Sequence, residues 1–217
     1  MKFVILGAGD HGRILLDLLL ERGDEVIGFV DDDPSKQGIE VEGIPVVGDS
    51  SILPSLKRMG VAVALGVGNN EVRARLFKMA CEAGLPLPPL IHPRAVVSKR
   101  AHLGEAVVVL AGAVVNIGAE VEENVCINTA ALVDHDNKIG AHVHIFPGAR
   151  LTGGVKVGEF SYIGSGAVIL PYVKIGRNVT VGAGAVVIRD LPDHCVAVGV
   201  PAKVKRFKNP SQLGRLR

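Results

Sequence analysis

The second half of the chain carries aliphatic residues at a strict spacing of six. From Val97 to Val187, sixteen successive positions at this spacing are all Val, Ile or Leu, without an insertion. A second register lies two residues earlier, and fifteen of its sixteen members are Ala, Val or Ser, with Asn137 as the exception. An α-helix or an amphipathic strand has a shorter period, whereas each unit of a hexapeptide β-helix forms one short strand and a turn. The pattern therefore predicts a parallel β-helix with its aliphatic residues turned inward.

The length of the repeat sets the size of this predicted β-helix. Three hexads make one coil, so residues 18 apart in the sequence should stack about 4.8 Å apart, and the span allows roughly five coils. Gly follows the aliphatic residue at positions 104, 140, 158, 164, 176 and 182. A β-sandwich is the alternative, but it would show turn signals every 8–12 residues, roughly, rather than a fixed six.

The first ninety residues follow a different pattern, in which apolar runs alternate with amphipathic stretches. This alternation is typical of βαβ units and predicts an α/β domain with a small, Rossmann-like parallel sheet. The predicted elements are strands at Lys2–Leu6, Glu25–Val30 and Val61–Val67 and helices over residues 11–22 and 71–83. Four prolines between Leu85 and Pro93 mark a linker. We therefore expect two domains, one over residues 1–90 and an all-β domain over residues 91–217.

A glycine-rich loop follows the first predicted strand. Gly7, Gly9 and Gly12 form the G-x-G-x-x-G spacing at a strand-to-helix junction. Backbone N–H groups at a helix N-terminus bind any phosphate, so the loop fits NAD, another nucleotide-linked ligand, or a purely structural turn. About 90 residues are too few for both halves of a dinucleotide-binding fold, which favours a nucleotide-linked substrate over NAD.

Charge and cysteine content narrow the function classes. The net charge of +2 gives no bulk attraction to nucleic acids or to membrane surfaces. The three cysteines, Cys81, Cys126 and Cys195, are widely spaced without a CxxC pair, which is typical of a reducing compartment. The first apolar run breaks at Gly7, too early for a signal peptide. We therefore expect a cytoplasmic enzyme that binds neither nucleic acid nor membrane.

His135 is the best candidate for a general base. It follows the inward-facing Val133 at a predicted corner, where its side chain must point outward, and it lies between Asp134 and Asp136. A neighbouring carboxylate raises the basicity of a histidine and fixes its ring. Asn137, the exception in the small-residue register, lies beside it and hints at function. The alternative is a solvated corner histidine without a chemical role.

Six segments together resemble one known family, the bacterial hexapeptide-repeat sugar acyltransferases. This family includes nucleotide-amino-sugar N-acetyltransferases and the sialic acid O-acetyltransferase group. The segments are Gly7–Gly12, Asp31–Asp32, Gly68–Asn70, Asn128–Gly140, His142–His144 and Gly199–Lys203. They occur in order over essentially the whole chain. The resemblance implies a left-handed β-helix, a homotrimer with active sites between subunits, and acetyl-CoA as co-substrate.

The same resemblance implies roles for particular residues of this chain. His135 and Asp136 match the catalytic histidine and the acidic residue that follows it, with direct attack by the substrate amine. Gly153, 18 residues after His135, matches an oxyanion donor. The other matches, for CoA or its acyl thioester, are His144, Ser165, Ala183 and Lys203. In the front domain, the implied nucleotide-sugar contacts are Gly9, Asp10, His11, Asp31 and Asp32. The alternative for His11 is a cap of its turn, and the alternative for the basic tail from Gly199 to Arg217 is solvation without a ligand.

Other readings of these residues remain open from the sequence. His135, His142 and His144 could hold zinc between subunits, but their spacing does not resemble that of the β-helical carbonic anhydrases, and we expect no metal. A non-catalytic scaffold is a second alternative, which the His-Asp corner disfavours. Within the acyltransferases, the expected reaction is N-acetylation of the 4-amino group of a UDP- or GDP-linked deoxyamino sugar. O-acetylation of a sialic-acid-like sugar is the alternative.

Overall fold

A computed structural model of the chain describes residues 1–208. It forms two compact units, one over Met1–Pro93 and the other beginning at Arg94. The helices are α1 (Asp10–Glu21), α2 (Leu53–Arg58) and α3 (Asn70–Glu82). The strands of the first unit are β1 (Lys2–Leu6), β2 (Glu25–Val30), β3 (Glu40–Val41), β4 (Ile44–Gly48), β5 (Ala62–Leu65) and β6 (Leu90–Ile91). None of the helices within residues 1–208 is long and apolar enough to cross a membrane.

The first unit contains a five-stranded sheet with the order β3-β4-β2-β1-β5. Strands β4, β2, β1 and β5 are parallel, and β3 pairs antiparallel with β4. The predicted small parallel sheet is confirmed, and β1 and β2 have the predicted bounds. The predicted strand at 61–67 is shorter and ends at Leu65. The next residue, Gly66, lies so close to the glycine-rich loop that a Cβ atom there would lie 2.7 Å from the carbonyl oxygen of Gly7. Strands β3 and β4 and helix α2 have no counterpart among the predicted elements.

The second unit is the predicted parallel β-helix, built from two-residue strands and closed by two longer ones. The strands are β7 (Val96–Val97), β8 (His102–Leu103), β9 (Val108–Val109), β10 (Val114–Val115), β11 (Glu120–Val121), β12 (Cys126–Ile127), β13 (Leu132–Val133), β14 (Lys138–Ile139), β15 (His144–Ile145), β16 (Arg150–Leu151), β17 (Lys156–Val157), β18 (Tyr162–Ile163), β19 (Val168–Ile169), β20 (Lys174–Ile175), β21 (Thr180–Val181), β22 (Val186–Val187), β23 (Cys195–Val198) and β24 (Lys203–Phe207). Strand β24 pairs antiparallel with β23.

Three sheets form the sides of the β-helix. The first sheet has the order β22-β19-β16-β13-β10-β7, the second β20-β17-β14-β11-β8, and the third contains β23-β21-β18-β15-β12-β9. Paired strands from β7 to β22 are 18 residues apart, as in the pairing of Val115 with Val133 and of Val133 with Leu151. The last parallel pair, β21 with β23, has a spacing of 16. Below, the first corner denotes the turns from the first sheet to the second, and the third corner denotes the turns from the third sheet to the first.

Both hydrophobic registers fill the interior of the β-helix. From Val109 onward every member of the aliphatic register is buried, while Val97 and Leu103 in the first coil are only half-buried. From Val107 onward every member of the small-residue register is buried as well. Alternation along a strand puts residues two apart on the same face, which explains why the two registers share the interior.

The glycines that follow the aliphatic register allow neighbouring coils to approach closely. A Cβ atom on Gly158 would lie 2.6 Å from the backbone nitrogen of Arg177, and one on Gly164 would lie 2.6 Å from that of Ala183. Neither glycine has a positive φ angle. Their role is therefore to leave room for the next coil rather than to adopt an unusual backbone conformation.

Candidate active site

His135 lies on the first corner, between β13 and β14. Its side chain is 48% exposed, and its Nδ1 lies 2.9 Å from Asp136 Oδ2. The backbone N–H of His135 donates to Asp134 Oδ1 at 2.8 Å. Asp136 adopts a φ of 58°, in the left-handed region that Asp tolerates better than most residues. The sequence prediction of an outward-facing histidine at a corner is confirmed.

The surrounding charges favour the protonated form of His135. The hydrogen bond to Asp136 raises the pKa of His135 above its usual value, and the negative charges of Asp134 and Asp136 act in the same direction. The pKa of Asp134 is lowered, chiefly because Asn116 Nδ2 donates to its Oδ1 at 2.8 Å. Because Nδ1 is hydrogen-bonded to Asp136, Nε2 carries the lone pair that can accept a proton from a substrate.

Gly153 lies directly under the imidazole ring of His135. A Cβ atom at Gly153 would collide with Nε2 and would lie 2.5 Å from Cε1. Gly153 has no positive φ angle, so the backbone there does not require glycine, but the ring above it does. Within residues 1–208, no backbone oxygen accepts a hydrogen bond from the Gly153 N–H. The Nε2 atom of His135 therefore lies close to the backbone of a glycine whose N–H has no backbone acceptor among the described residues.

Asn137 supports this corner from inside the β-helix. Its side chain is fully buried, and its Nδ2 donates to the carbonyl oxygens of Asp134 at 2.7 Å and Thr152 at 3.1 Å. Its Oδ1 has no hydrogen-bond partner in the part of the chain that the structure describes. Asn137 thus ties the turn that carries His135 to the next coil, and it does not face the surface where a substrate would bind.

Ser165 and Ala183 lie on the third corner, away from His135. Both are exposed, and each precedes a glycine with a φ of 65°. No described heavy atom lies within 4 Å of the position that a Cβ would take on Gly166 or Gly184. No backbone oxygen among residues 1–208 accepts from the N–H of Ser165 or of Ala183. Along this exposed edge, two backbone N–H groups one coil apart thus have no backbone acceptor among the described residues.

His144 belongs to the third sheet and is only 3% exposed. Its ring stacks on Phe146 with a centroid distance of 4.2 Å, and its Nε2 lies 3.2 Å from Asn128 Nδ2. Since His135 lies on the first corner, a single chain does not bring the two histidines together. Their spacing of nine residues, which is half a coil, accounts for this separation.

Lys203 is exposed at the start of β24, where it pairs with Val198 of β23. Four of the basic residues noted in the sequence (Lys203, Lys205, Arg206 and Lys208) lie within the described part of the chain. Arg215 and Arg217 lie outside the described residues. Lys208 Nζ donates to Asn178 Oδ1 at 2.8 Å.

The glycine-rich loop of the first unit joins β1 to α1. Gly7 has a φ of 109°, and a Cβ on Gly12 would collide with the carbonyl oxygen of Gly7, so the turn is tight. Gly9 is the N-cap of α1, and no described side chain caps it. Asp10 is exposed in the first turn of the helix, 3.9 Å from Arg13. Uncapped N–H groups at a helix N-terminus form a site for an anion such as a phosphate.

Asp31 and Asp32 follow β2 and serve different purposes. Asp31 Oδ2 accepts from the Ala8 N–H at 2.8 Å and from Lys36 Nζ at 2.9 Å, which ties it to the glycine-rich loop. Burial opposes ionisation of Asp31, but these hydrogen bonds prevail and lower its pKa. Asp32 is exposed and accepts from the Ser50 N–H at 2.8 Å. Both aspartates line a cavity of about 130 Å³ together with Gly7 and Arg75.

His11 lies in the first turn of α1 and is half-buried. Burial, followed by the positive charge of Arg73, lowers its pKa to about 4. Arg73 is itself buried, and its guanidinium donates to Asn70 Oδ1 at 2.9 Å and to the carbonyl oxygen of Val67 at 3.3 Å. His11 is therefore neutral at neutral pH.

Two contributors to the site were absent from the sequence analysis. Asn116 lies 18 residues before Asp134, so their contact could have been predicted from the stacking of residues one coil apart. Arg73 gave no such signal, because nothing in the helical pattern of α3 marks an inward-pointing arginine. Among residues 1–208 there is no group of three or more His, Cys, Asp or Glu side chains arranged to hold a metal ion.

Comparisons with known proteins agree with both units. The family model of the PglD N-terminal domain matches residues 2–80, and that of the bacterial transferase hexapeptide (six repeats) matches residues 138–171 and 154–189. UDP-N-acetylbacillosamine N-acetyltransferase of Bacillus subtilis (strain 168) is 38% identical over 109 residues, which are 49% of this chain and 50% of that protein. The matched part thus spans about half the length of that curated relative.

Solved structures match over nearly the full chain. A variant of perosamine N-acetyltransferase from Caulobacter crescentus, in complex with CoA and GDP-perosamine, is 42% identical, with a TM-score of 0.90 over 95% of this chain and 97% of that one. The acetyltransferase domain of PglB from Neisseria gonorrhoeae, in complex with acetyl coenzyme A, is 41% identical, with a TM-score of 0.88 over 94% and 98%. The chain belongs to the bacterial hexapeptide-repeat sugar acyltransferase family, whose left-handed parallel β-helix it shares.

Proposed function

We propose that this protein is an acetyl-CoA-dependent N-acetyltransferase that acts on the 4-amino group of a nucleotide-linked deoxyamino sugar. The observation that carries the proposal is the His135–Asp136 pair, whose Nε2 lies over the backbone of Gly153. The relatives support the choice of substrates, because perosamine N-acetyltransferase binds CoA and GDP-perosamine, and the PglB domain binds acetyl coenzyme A.

The proposed reaction is a direct attack of the sugar amine on the thioester carbonyl carbon. His135 Nε2 accepts the proton from the attacking nitrogen, and Asp136 stabilises the imidazolium that forms. The Gly153 N–H donates a hydrogen bond to the negative charge that develops on the carbonyl oxygen. The carbon–sulfur bond then breaks, the acetyl group remains on the sugar nitrogen as an amide, and the CoA thiolate leaves and takes up a proton.

We propose a homotrimer with active sites between subunits as the working form. In one chain, His135 and Gly153 lie on the first corner, whereas Ser165 and Ala183 lie on the third. A threefold assembly of β-helices would bring the first corner of one subunit to the third corner of the next. The pantetheine arm of acetyl-CoA would then lie along Ser165 and Ala183, and His144 and Lys203 would meet the acyl thioester and the CoA phosphates.

The first unit is the proposed site for the nucleotide part of the sugar substrate. The uncapped N-terminus of α1 at Gly9 favours the diphosphate, and Asp32 offers a carboxylate to base or ribose donors. Asp10 and His11 lie in the same turn and are proposed to face the phosphate or the sugar. The relatives act on both GDP- and UDP-linked sugars, so either base is compatible with the proposal. The three free cysteines fit work in the reducing cytoplasm.

The test is a CoA-release assay with acetyl-CoA against a panel of UDP- and GDP-linked 4-amino-4,6-dideoxy sugars and their 4-hydroxy counterparts. We expect turnover on one or more of the amino sugars, with NMR of the product showing the acetyl group on the 4-nitrogen. Turnover on the hydroxyl sugars alone would show that the reaction is O-acetylation. No turnover on any nucleotide sugar would contradict the proposal.

A further inference from the structure

The cavity of about 130 Å³ in the first unit lies beside the ends of β1 and β2 and one side of α3. The buried side chains in its lining, Leu6, Val30 and Leu76, are aliphatic. The exposed ones, Asp32 and Arg75, are charged. A lining of this kind suits a ligand that has an apolar body and a polar edge.

Arg75 lines this cavity without a partner from its own chain. Within residues 1–208, its side chain makes no ion pair and no hydrogen bond. The two aspartates of the lining bond to other groups, because Asp31 accepts from the Ala8 N–H and Asp32 accepts from the Ser50 N–H. Opposite charges attract each other, so a guanidinium that pairs with neither carboxylate is available to a ligand in the cavity.

The other arginines of the first unit differ from Arg75 in their partners or their position. Arg13 and Arg22 form ion pairs with carboxylates, and the buried Arg73 donates hydrogen bonds to groups of its own chain. Arg58 is exposed and also without a side-chain partner within residues 1–208, but it lies outside the lining of this cavity. Among the arginines of residues 1–93, Arg75 therefore combines an unpaired guanidinium with a place on the cavity.

Size and walls decide which part of a nucleotide sugar fits this cavity. A volume of about 130 Å³ accommodates one planar heterocycle but not a whole nucleotide. Aliphatic walls disfavour a phosphate, because moving a charged group out of water costs free energy. The cavity borders Gly7 of the glycine-rich loop. A ligand whose diphosphate lies at the N-terminus of α1 can therefore place its base in the cavity.

We infer that this cavity receives the nucleobase of the nucleotide sugar and that the Arg75 guanidinium packs over the face of the base. A guanidinium is planar and stacks on aromatic rings, and the aliphatic side chains of Val67 and Val72 supply apolar contacts to the ring. Every base has a π face, so this contact serves UDP- and GDP-linked sugars alike. The inference rests on the proposed function, and it assigns the base, rather than the diphosphate or the sugar, to the cavity.

Two variants test the two halves of this inference. Arg75→Lys keeps the positive charge and removes the planar guanidinium, so it separates stacking on a base from attraction to a phosphate. Val72→Phe places a ring in the cavity without a change of charge, and the half-buried position of Val72 leaves room for the larger side chain to turn outward if the cavity does not admit it. Arg58→Lys makes the same substitution outside the cavity and serves as the matched control.

The deciding measurement is calorimetric titration of the full-length protein and its variants with UDP, GDP and inorganic pyrophosphate. In Arg75→Lys and in Val72→Phe, we expect the dissociation constants of UDP and GDP to rise about 10-fold, while that of pyrophosphate stays within about twofold of the wild type. Arg58→Lys should bind all three ligands like the wild type.

Three results would overturn the inference. The first is nucleotide binding at wild-type strength in Arg75→Lys, and the second is the same result in Val72→Phe. The third is a loss of pyrophosphate affinity in Arg75→Lys as large as the loss of UDP and GDP affinity, because it would assign the guanidinium to the diphosphate. Failure of the wild type to bind either nucleotide would instead contradict the proposed function, and the inference with it.

Discussion

Replacement of Gly153 by alanine tests the geometry of the candidate site with a single methyl group. The new Cβ would lie 2.5 Å from Cε1 of His135, whereas non-bonded carbon atoms rest about 3.5 Å apart. Gly153 has no positive φ angle, so alanine adds no backbone strain. The half-exposed imidazole can yield, and it must move by about 1 Å. The perturbation therefore displaces the base while leaving the β-helix intact.

The expected magnitude follows from this displacement. Misplacement of a reacting group by about 1 Å can lower a rate by about 100-fold, equivalent to about 2.7 kcal/mol of transition-state stabilisation. We expect kcat/KM in the CoA-release assay to fall by that factor for Gly153→Ala. Because alanine also restricts the unfolded chain, we expect the free energy of unfolding to change by less than about 1 kcal/mol.

Gly158→Ala is the matched control for this variant. Its Cβ would lie 2.6 Å from the backbone nitrogen of Arg177, which cannot yield as a side chain does. We expect a loss of stability of about 1–3 kcal/mol, with the turnover per folded molecule retained. Wild-type activity in Gly153→Ala would refute the claim that the imidazole over Gly153 is the catalytic base. A large loss of stability in Gly153→Ala would refute the claim that the imidazole can move aside for the new methyl group.

Two further predictions concern protonation. In Asp136→Asn, loss of the carboxylate lowers the pKa of His135. Because the base must be neutral to act, the acid limb of the pH–rate profile should move to lower pH, and the plateau should fall about 10-fold. An acid limb at the wild-type pH would contradict the assignment of His135 as the base. The pKa of His11 is about 4 in the folded state, below the ordinary value of 6.5. As pH falls, His11 is therefore protonated in the unfolded state before it is protonated in the folded state. Its contribution to the free energy of unfolding is present above pH 6.5 and is lost as pH falls toward 4. Urea unfolding across this range should show a weaker pH dependence in His11→Asn, and an identical dependence would contradict the burial of a neutral His11.

The sequence was a good guide to the β-helix because its period is enforced by geometry. Each coil must place one aliphatic residue per side in a shared interior, so every sixth residue reports on the fold, and pairs 18 apart follow directly. The first unit was predicted less completely. Strand β3 is two residues long, and β4 contains a proline and buries only Val46, so neither was recognised as a strand from its pattern.

The candidate site was predictable where it follows the repeat and unpredictable where it depends on long side chains. The stacking of Gly153 on His135 follows from their separation of 18 residues. Asn137 looked functional because it broke a rule, but the structure gives it a supporting role inside the corner. The position of Arg73 beside His11 depends on how α3 packs, which no local pattern encodes.

The most direct test of the central claim is the steady-state kinetics of His135→Asn with the best acceptor from the panel, beside His102→Asn, which changes an exposed histidine on β8. We predict that His135→Asn lowers kcat by about 10²–10⁴-fold, with the KM values of acetyl-CoA and acceptor within about threefold of the wild type, and that His102→Asn leaves all three unchanged. A kcat for His135→Asn within a few-fold of the wild type would contradict the role of His135 as the general base.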